Sequence, residues 1–339
     1  MIKRLMLSAV GALAVSATGM TWAQDQAARP IRMIVPFSGG SASDVITRIL
    51  IERISATTGQ RFVLDNRPAA GGNLGTQLVA KATPDGYSFG MSASGPLAAN
   101  KTLYKDLGYD PERDIQPVTL YASLPNIVVV STRLPVQTIG ELTDYVKKNP
   151  NVPYGSVGNG SAQHLAGAFF EQIVGARMTH VPYKVTANLV TDLVSGQALV
   201  SFQLLPNVRG QIKAGQVRPL IVAATKRLTA LPEVPTAAEA GIKGYTSAAW
   251  FAFIAPSGTP RAAVDKLHKE TAAAIADQAV RTRFVDFGAE PSATSPDEFG
   301  KYISFARNIL VFAPVGITWK GVEEATRAFS KFVETNSAS

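Results

Sequence analysis

The chain has 339 residues, 46% of them hydrophobic, and carries 33 Lys and Arg against 25 Asp and Glu, a formal charge of +8. It contains no cysteine, which excludes disulfides, thiolate nucleophiles and zinc–sulfur sites. Its basic residues nowhere form a dense run interleaved with aromatics, so nucleic acid is not an expected partner; a mildly positive field suits small anionic solutes.

The first 23 residues read as a secretory signal peptide: Lys3 and Arg4, an apolar run from Leu5 to Gly19, then Thr21-Trp22-Ala23 before the cut. The apolar run is shorter than the roughly 20 residues that span a bilayer, and no cysteine offers a lipoprotein anchor. Without Lys3 and Arg4 the chain from Gln24 keeps 31 basic and 25 acidic residues, a charge of +6. Its length predicts two lobes, and its expected location is the periplasm.

Ile31 to Val35 reads as a strand that stops at Pro36 and opens into Ser38-Gly39-Gly40-Ser41-Ala42-Ser43. After Asp44, Ile46, Ile49, Leu50 and Ile54 recur at helical spacing. Arg61 to Leu64 is a second strand, Asn66 to Gly72 a loop, and Leu74, Leu78 and Val79 mark a helix. Tyr87 to Ser92 is a third strand, ending in the polar loop Ser92-Ala93-Ser94-Gly95. Pro117 to Leu120 and Ile127 to Ser131 are buried extended segments crossing between lobes. Thr138 with Glu141 forms a capping box for a helix to about Lys148. A short strand ends at Tyr154, the loop Gly155 to Ser161 follows, and His164, Leu165, Phe169 and Phe170 begin an amphipathic helix. Val217 to Ala223 is a strand, Ala249 to Ala255 the return crossing, and helices follow from about Arg261, Val280 and Pro296, with a last one over Val322 to Val333. This alternation predicts an α/β fold with mainly parallel sheets.

Two loops share one design, a strand, a Gly/Ser run and a helix: Phe37 to Asp44 and Gly155 to His164. In open α/β sheets ligands sit beyond the carboxyl ends of strands. Small residues let backbone approach a ligand, and the first helical N–H groups are unpartnered and partly positive. A carboxylate is their natural guest. Hydrogen bonds to a charged group contribute about 1.5–3 kcal/mol each, so five or six could reach the roughly 8 kcal/mol of micromolar affinity. The expected ligand contacts are Phe37, Ser38, Gly39, Gly40, Ser41, Asp44, Ser94, Ser156, Gly158, Asn159, Ser161, His164 and Gln203. Asp44 reads either as a helix cap or as a cleft residue that rejects a second anion or accepts an ammonium group. His164 reads as packing or contact, His180 as structural, and Trp250 and Phe251 as hinge or core. Gly155-Ser156-Val157-Gly158-Asn159-Gly160 lacks the Lys-Ser/Thr pair of a P-loop and the dinucleotide spacing. No Gly-x-Ser-x-Gly elbow appears, and His164, His180 and His268 are too scattered for a metal site. No cofactor or metal is expected.

An ordered series of motifs resembles the solute-binding proteins of tripartite tricarboxylate transporters, the Bug family. It runs through Ile34-Val35-Pro36-Phe37 with Gly40 and Asp44, Asp65 to Gly75, Ala80 to Tyr87, and Leu103-Tyr104 with Tyr109-Asp110-Pro111. It continues through Tyr154 to Ser161 with His164-Leu165, His180 to Lys184, Ile212 to Gly215, Leu231 to Thr236, Ala238 to Gly241 and Ala255 to Pro260. The resemblance implies a two-lobed periplasmic binding fold of type 2, with residues 24–124 and 250–339 in lobe 1 and 125–249 in lobe 2. It also implies a cleft that closes on a small organic carboxylate, a monomeric receptor rather than an enzyme, and two integral membrane transporter subunits as partners. Delivery to a signalling partner is the alternative role, and an exported hydrolase is disfavoured by the missing triad motif. The sequence departs from the family pattern at Ser41 and Val185, where glycine is usual, at Asn188 for proline, Leu199 for aspartate and Asn308 for tryptophan, and in a longer tail from Thr318.

Overall fold

The computed structural model describes residues 29–311, with side chains as far as Arg307. The signal segment, the helix expected over Val322 to Val333, the tail from Thr318 and the side chain of Asn308 lie outside the described residues.

The first lobe begins with β1 (Ile31–Val35), α1 (Ala42–Thr58), β2 (Phe62–Asn66), α2 (Asn73–Ala80) and β3 (Ser88–Ala93). In α1 the apolar positions Ile46, Ile49, Leu50 and Ile54 are all buried, and Gly59 ends the helix in the left-handed region at φ 73°. That conformation costs glycine nothing and completes a C-cap. A π-turn over Gly95–Ala99 and α3 (Asn100–Leu103) lead to the long strand β4 (Ile115–Pro125).

The second lobe holds β5 (Ile127–Ser131), α4 (Ile139–Lys148), β6 (Val152–Ser156), α5 (Ala162–Val174), β7 (Met178–Pro182), α6 (Thr186–Ser195), β8 (Val200–Gln203), α7 (Leu205–Lys213) and β9 (Val217–Val222). The expected cap is present, with its return bond displaced by one residue. Thr138 accepts a hydrogen bond from the Glu141 N–H at 3.2 Å, and the Glu141 carboxylate accepts one from the Gln137 N–H. The chain returns through β10 (Ala248–Pro256) to α8 (Arg261–Ala276), α9 (Gln278–Asp286), β11 (Glu290–Pro291) and α10 (Pro296–Val311).

One sheet has the order β11-β4-β10-β3-β1-β2 and the other β7-β6-β8-β5-β9. Both are mixed, which corrects the expectation of mainly parallel sheets. The βα units pair in parallel, β1 with β2 and β3, and β6 with β7 and β8. The strands next to the crossings run the other way: β10 pairs antiparallel with β3 and β4, and β5 with β8 and β9. A chain that leaves one sheet for the other and returns must traverse each sheet in both senses.

These strands are apolar on both faces, as sheets covered by helices require. Along β10, Ala249, Phe251, Phe253 and Ala255 enter one core cluster while Trp250, Ala252 and Ile254 enter the cluster on the opposite face. Trp250 packs edge-on against Phe299 and Tyr302. Along β5, Val128 and Val130 face one cluster and Ile127 and Val129 the other. The two crossings touch at buried Asn126. Its N–H donates to the Ser247 carbonyl at 2.8 Å, its side-chain amide donates to the Ser247 hydroxyl at 3.0 Å, and its carbonyl accepts from the Ala223 N–H. Among the described residues no helix is long and apolar enough to cross a membrane.

Candidate functional site

The loop after β1 is braced from within. Gly40 sits at φ 74° at an exposed tip beside Gly39. Its N–H donates to Asp44 Oδ2 at 2.9 Å. Arg48 Nε donates to the same oxygen at 2.8 Å, and Asn66 Nδ2 donates to Asp44 Oδ1 at 3.0 Å and to the Phe37 carbonyl at 3.0 Å. Asp44 is only 2% exposed. Burial alone would raise its pKa, but the hydrogen bonds from Arg48, Gly40 and Asn66 outweigh that and hold it below the ordinary carboxylate value. Both oxygens thus serve the loop, and Asp44 is not among the residues that line the cavity described below.

The loop after β6 is braced by histidines. Ser156 Oγ accepts from the Gly158 N–H at 3.0 Å and lies 2.6 Å from His180 Nε2. His164 Nδ1 accepts from the Gly160 N–H at 3.1 Å, and Ser161 caps α5 by accepting from the His164 N–H. The His164 and His180 rings lie 4.1 Å apart. Burial, and then the neighbouring His164, push the His180 pKa down to about 4, so its ring is neutral at pH 7. Burial also lowers the pKa of His164. Among the described residues no group of His, Cys, Asp and Glu could hold a metal ion.

The two loops meet. Thr186 at the start of α6 donates its N–H to Ser38 Oγ at 3.2 Å, and the Ser38 hydroxyl bonds to Thr186 Oγ1 at 3.2 Å. Tyr104, in the first lobe, donates its hydroxyl to the Asn159 carbonyl at 3.0 Å. A Cβ built at Gly71 would lie 2.1 Å from the Asn159 carbonyl oxygen, and one at Gly95 2.0 Å from the Gly160 carbonyl oxygen. Backbone from opposite lobes therefore touches where glycine leaves room.

Behind this seam lies a cavity of about 320 Å³, counting its solvent-open mouth. Its lining comes from Phe37, Ser41, Ala42 and Ser43 of the first loop and from Val157, Ala162 and Gln163 of the second. Ala93, Thr186, Leu204, Asn207, Ala249 and Phe251 complete it. Four helices, α1, α5, α6 and α7, begin at this wall, from both lobes. None of the described lining residues is charged, so the field inside comes from helix starts, hydroxyls and amides.

Of the residues expected from sequence, Phe37 and Ser41 line the cavity. Ser38, Gly39, Gly40 and Asp44 shape the first loop, and Ser156, Gly158, Asn159, Ser161 and His164 shape the second. Ser94 is buried beside Ala93, with no hydrogen-bond partner for its hydroxyl among the described residues. Gln203 lies one layer behind the wall, bonded to Asn207 and Ser201. Sequence reasoning missed Gln163, Thr186, Asn207 and Phe251. Thr186 had a readable signal, since Leu189, Val190 and Leu193 repeat at helical spacing and Gly196 stops the run at φ 81°. Asn207 and Gln163 carried none.

The model of the tripartite tricarboxylate transporter family receptor matches residues 46–308. The chain belongs to this family. BugT of Bordetella pertussis is 33% identical over 279 residues, 82% of this chain and 86% of that relative. An R. palustris protein solved with adipate is 36% identical with a TM-score of 0.80, over 83% of this chain and 94% of the other. MatC from Rhodopseudomonas palustris, solved with bound malate, is 28% identical with a TM-score of 0.79, over 84% and 98% of the two chains. This receptor is accordingly a solute-binding protein of the two-lobed periplasmic type and not an enzyme. Its departures from the pattern of the family fit locally. Ser41 occupies the N-cap position of α1 at φ −70° and Val185 precedes α6 at φ −121°, backbone that needs no glycine. The Asn188 N–H donates to the Val185 carbonyl, a bond proline could not make. Leu199 packs against the apolar core of the second lobe.

Proposed function

We propose that this receptor captures a small carboxylate between its lobes in the periplasm and presents the closed complex to the membrane subunits of a tripartite tricarboxylate transporter. One observation carries the reading: helix starts from both lobes, α1 on one side and α5, α6 and α7 on the other, meet a cavity that no charged side chain lines. An anion there gains the positive ends of these helices and those first-turn N–H groups that Asn207, Ser38 and Ser161 do not already hold. A cation would meet those same positive ends with no carboxylate to offset them. The adipate and malate held by structural relatives support the same class of solute. The signal-like N-terminus supports export, and family membership supports the transporter partnership.

The apolar share of the wall, Phe37, Leu204 and Phe251 among it, excludes water around the bound acid and strengthens its hydrogen bonds. Lobe closure follows as a population shift, because only the closed arrangement brings both sets of donors to one anion. The test is a thermal-shift screen with adipate, malate, hexanoate, benzoate and nicotinate. An acid present at 100 times its Kd should stabilise the fold by about 2.7 kcal/mol. Ser41→Phe, which fills the cavity from the rim, should abolish the shift and leave the unliganded melting temperature unchanged. A screen in which amines or sugars shift the wild type and no acid does would overturn the carboxylate reading.

A further inference from the structure

We propose that Asn207 is the specificity-determining crossbar of the cleft, a neutral side chain fixed against the place where the acid's carboxylate sits. The proposal rests on the carboxylate reading above and adds a residue and a mechanism to it. Asn207 lies in the first turn of α7, in the second lobe, and lines the cavity. Its Oδ1 accepts from the N–H of Ala42, the first residue of α1 in the opposite lobe, at 2.7 Å. That N–H has no partner within its own helix and is one of the donors an anion would seek.

The orientation of Asn207 follows from a chain of hydrogen bonds that runs in one direction. Asn207 Nδ2 donates to Gln203 Oε1 at 2.8 Å, Gln203 Nε2 donates to Ser201 Oγ at 2.8 Å, and the Ser201 hydroxyl donates to the Gly155 carbonyl at 2.7 Å. Gln203 and Ser201 are both fully buried. The two ends of the chain are backbone groups of fixed polarity: an N–H at Ala42 can only donate, and a C=O at Gly155 can only accept. Turning either amide around would set donor against donor at one junction and acceptor against acceptor at another. The side chain at 207 must therefore present its oxygen to α1.

Two consequences follow. The chain links both loops, because Gly155 near the end of β6 opens the loop that leads to Val157 and Ala162 of the far wall; bringing the lobes together completes it, and parting them breaks it at Ala42. The oxygen offered to α1 is uncharged. An aspartate of the same shape would accept the same N–H but would place a second negative charge against the anion, where like charges are strongly unfavourable, and it could not donate to Gln203 Oε1. The neutral amide holds the closed cleft without setting a second charge against its ligand, although it occupies the Ala42 N–H.

The experiment is isothermal titration of wild type, Asn207→Ala and Asn207→Asp with adipate, malate, hexanoate, benzoate and nicotinate, together with the melting temperature of each unliganded protein. Asn207→Ala should weaken the best acid by about fivefold, the effect of one neutral hydrogen bond. Asn207→Asp should weaken it by at least about tenfold more, with an unliganded melting temperature matching that of Asn207→Ala. Residue 207 would then act on the anion through its charge and not through the fold. If wild type binds an acid and the two variants bind it equally well, no anion sits beside 207 and the proposal is overturned while the carboxylate reading stands. If wild type binds none of the five acids, the carboxylate reading fails and the proposal falls with it.

Discussion

Adding one methyl group at Gly95 should prop the lobes apart. Gly95 follows β3 in the first lobe, and its Cβ would stand 2.0 Å from the Gly160 carbonyl oxygen of the second, where 3.0 Å is the least that real side chains tolerate. The seam must widen there by about 1 Å or more, and the obstacle is backbone, which cannot rotate aside. Gly95 does not adopt a left-handed conformation, so alanine is accepted within its own lobe. Overpacking of this kind costs about 1–3 kcal/mol, here only in the closed arrangement. At about 1.4 kcal/mol per factor of ten, Gly95→Ala should raise the Kd for the best acid by roughly fivefold to 150-fold. Titration calorimetry reads this directly, and small-angle scattering should show less compaction on adding the acid. Gly210→Ala is the control, because a Cβ there meets nothing within 4 Å. Wild-type affinity in Gly95→Ala, or a fold destabilised without ligand, would refute the idea that this seam forms on closure.

Asp44→Asn should cost about 1.5–3 kcal/mol in denaturant unfolding, since the carboxylate receives charge-assisted bonds from Arg48 and the Gly40 N–H. The folded pKa of Asp44 is depressed, so its contribution is complete above the unfolded value and is lost as pH falls through the folded one; the gap between wild type and variant should close in that range. The His180 pKa is lowered to about 4. The unfolded chain therefore binds more protons between the ordinary histidine value and that point, and stability should drop as pH is lowered across this window. His180→Gln should flatten the slope, and an unaltered slope would place the titration elsewhere. Thr138→Ala removes the N-cap of α4 and should cost about 1 kcal/mol while leaving acid affinity unchanged, because α4 contributes nothing to the cavity wall.

Much of the fold was legible because its signals are local. Ile46, Ile49, Leu50 and Ile54 mark the buried face of α1, and Thr138 with Glu141 marks the start of α4, through spacings that act within one or two turns. Other features were not. Leu189, Val190 and Leu193 outline α6, but neither it nor α7 opens on a capping side chain. The antiparallel half of each sheet depends on where the chain crosses between lobes, and Ile127 to Ser131 looks the same in either direction. Both loops were picked out by their Gly/Ser runs, yet Gly39, Gly40 and Asp44 shape the first loop from outside the cavity wall, and Ala42, Ser43, Ala162 and Gln163 form the wall itself.

The sequence by itself determined the fold class, the two-loop design and membership of the receptor family, because apolar periodicity, helix caps and ordered motifs all act through near neighbours in the chain. Tertiary structure alone decided which groups share the cavity. Ala42 and Asn207 are 165 positions apart, and Gly95 meets Gly160 only because two sheets are joined through paired crossings at Asn126 and Ser247. The wall is made of neutral side chains and backbone N–H groups, whose direction is set by the fold around them. Without charge, metal ligands or a nucleophile, such a site has no residue signature, and its specificity lies in how two lobes approach each other.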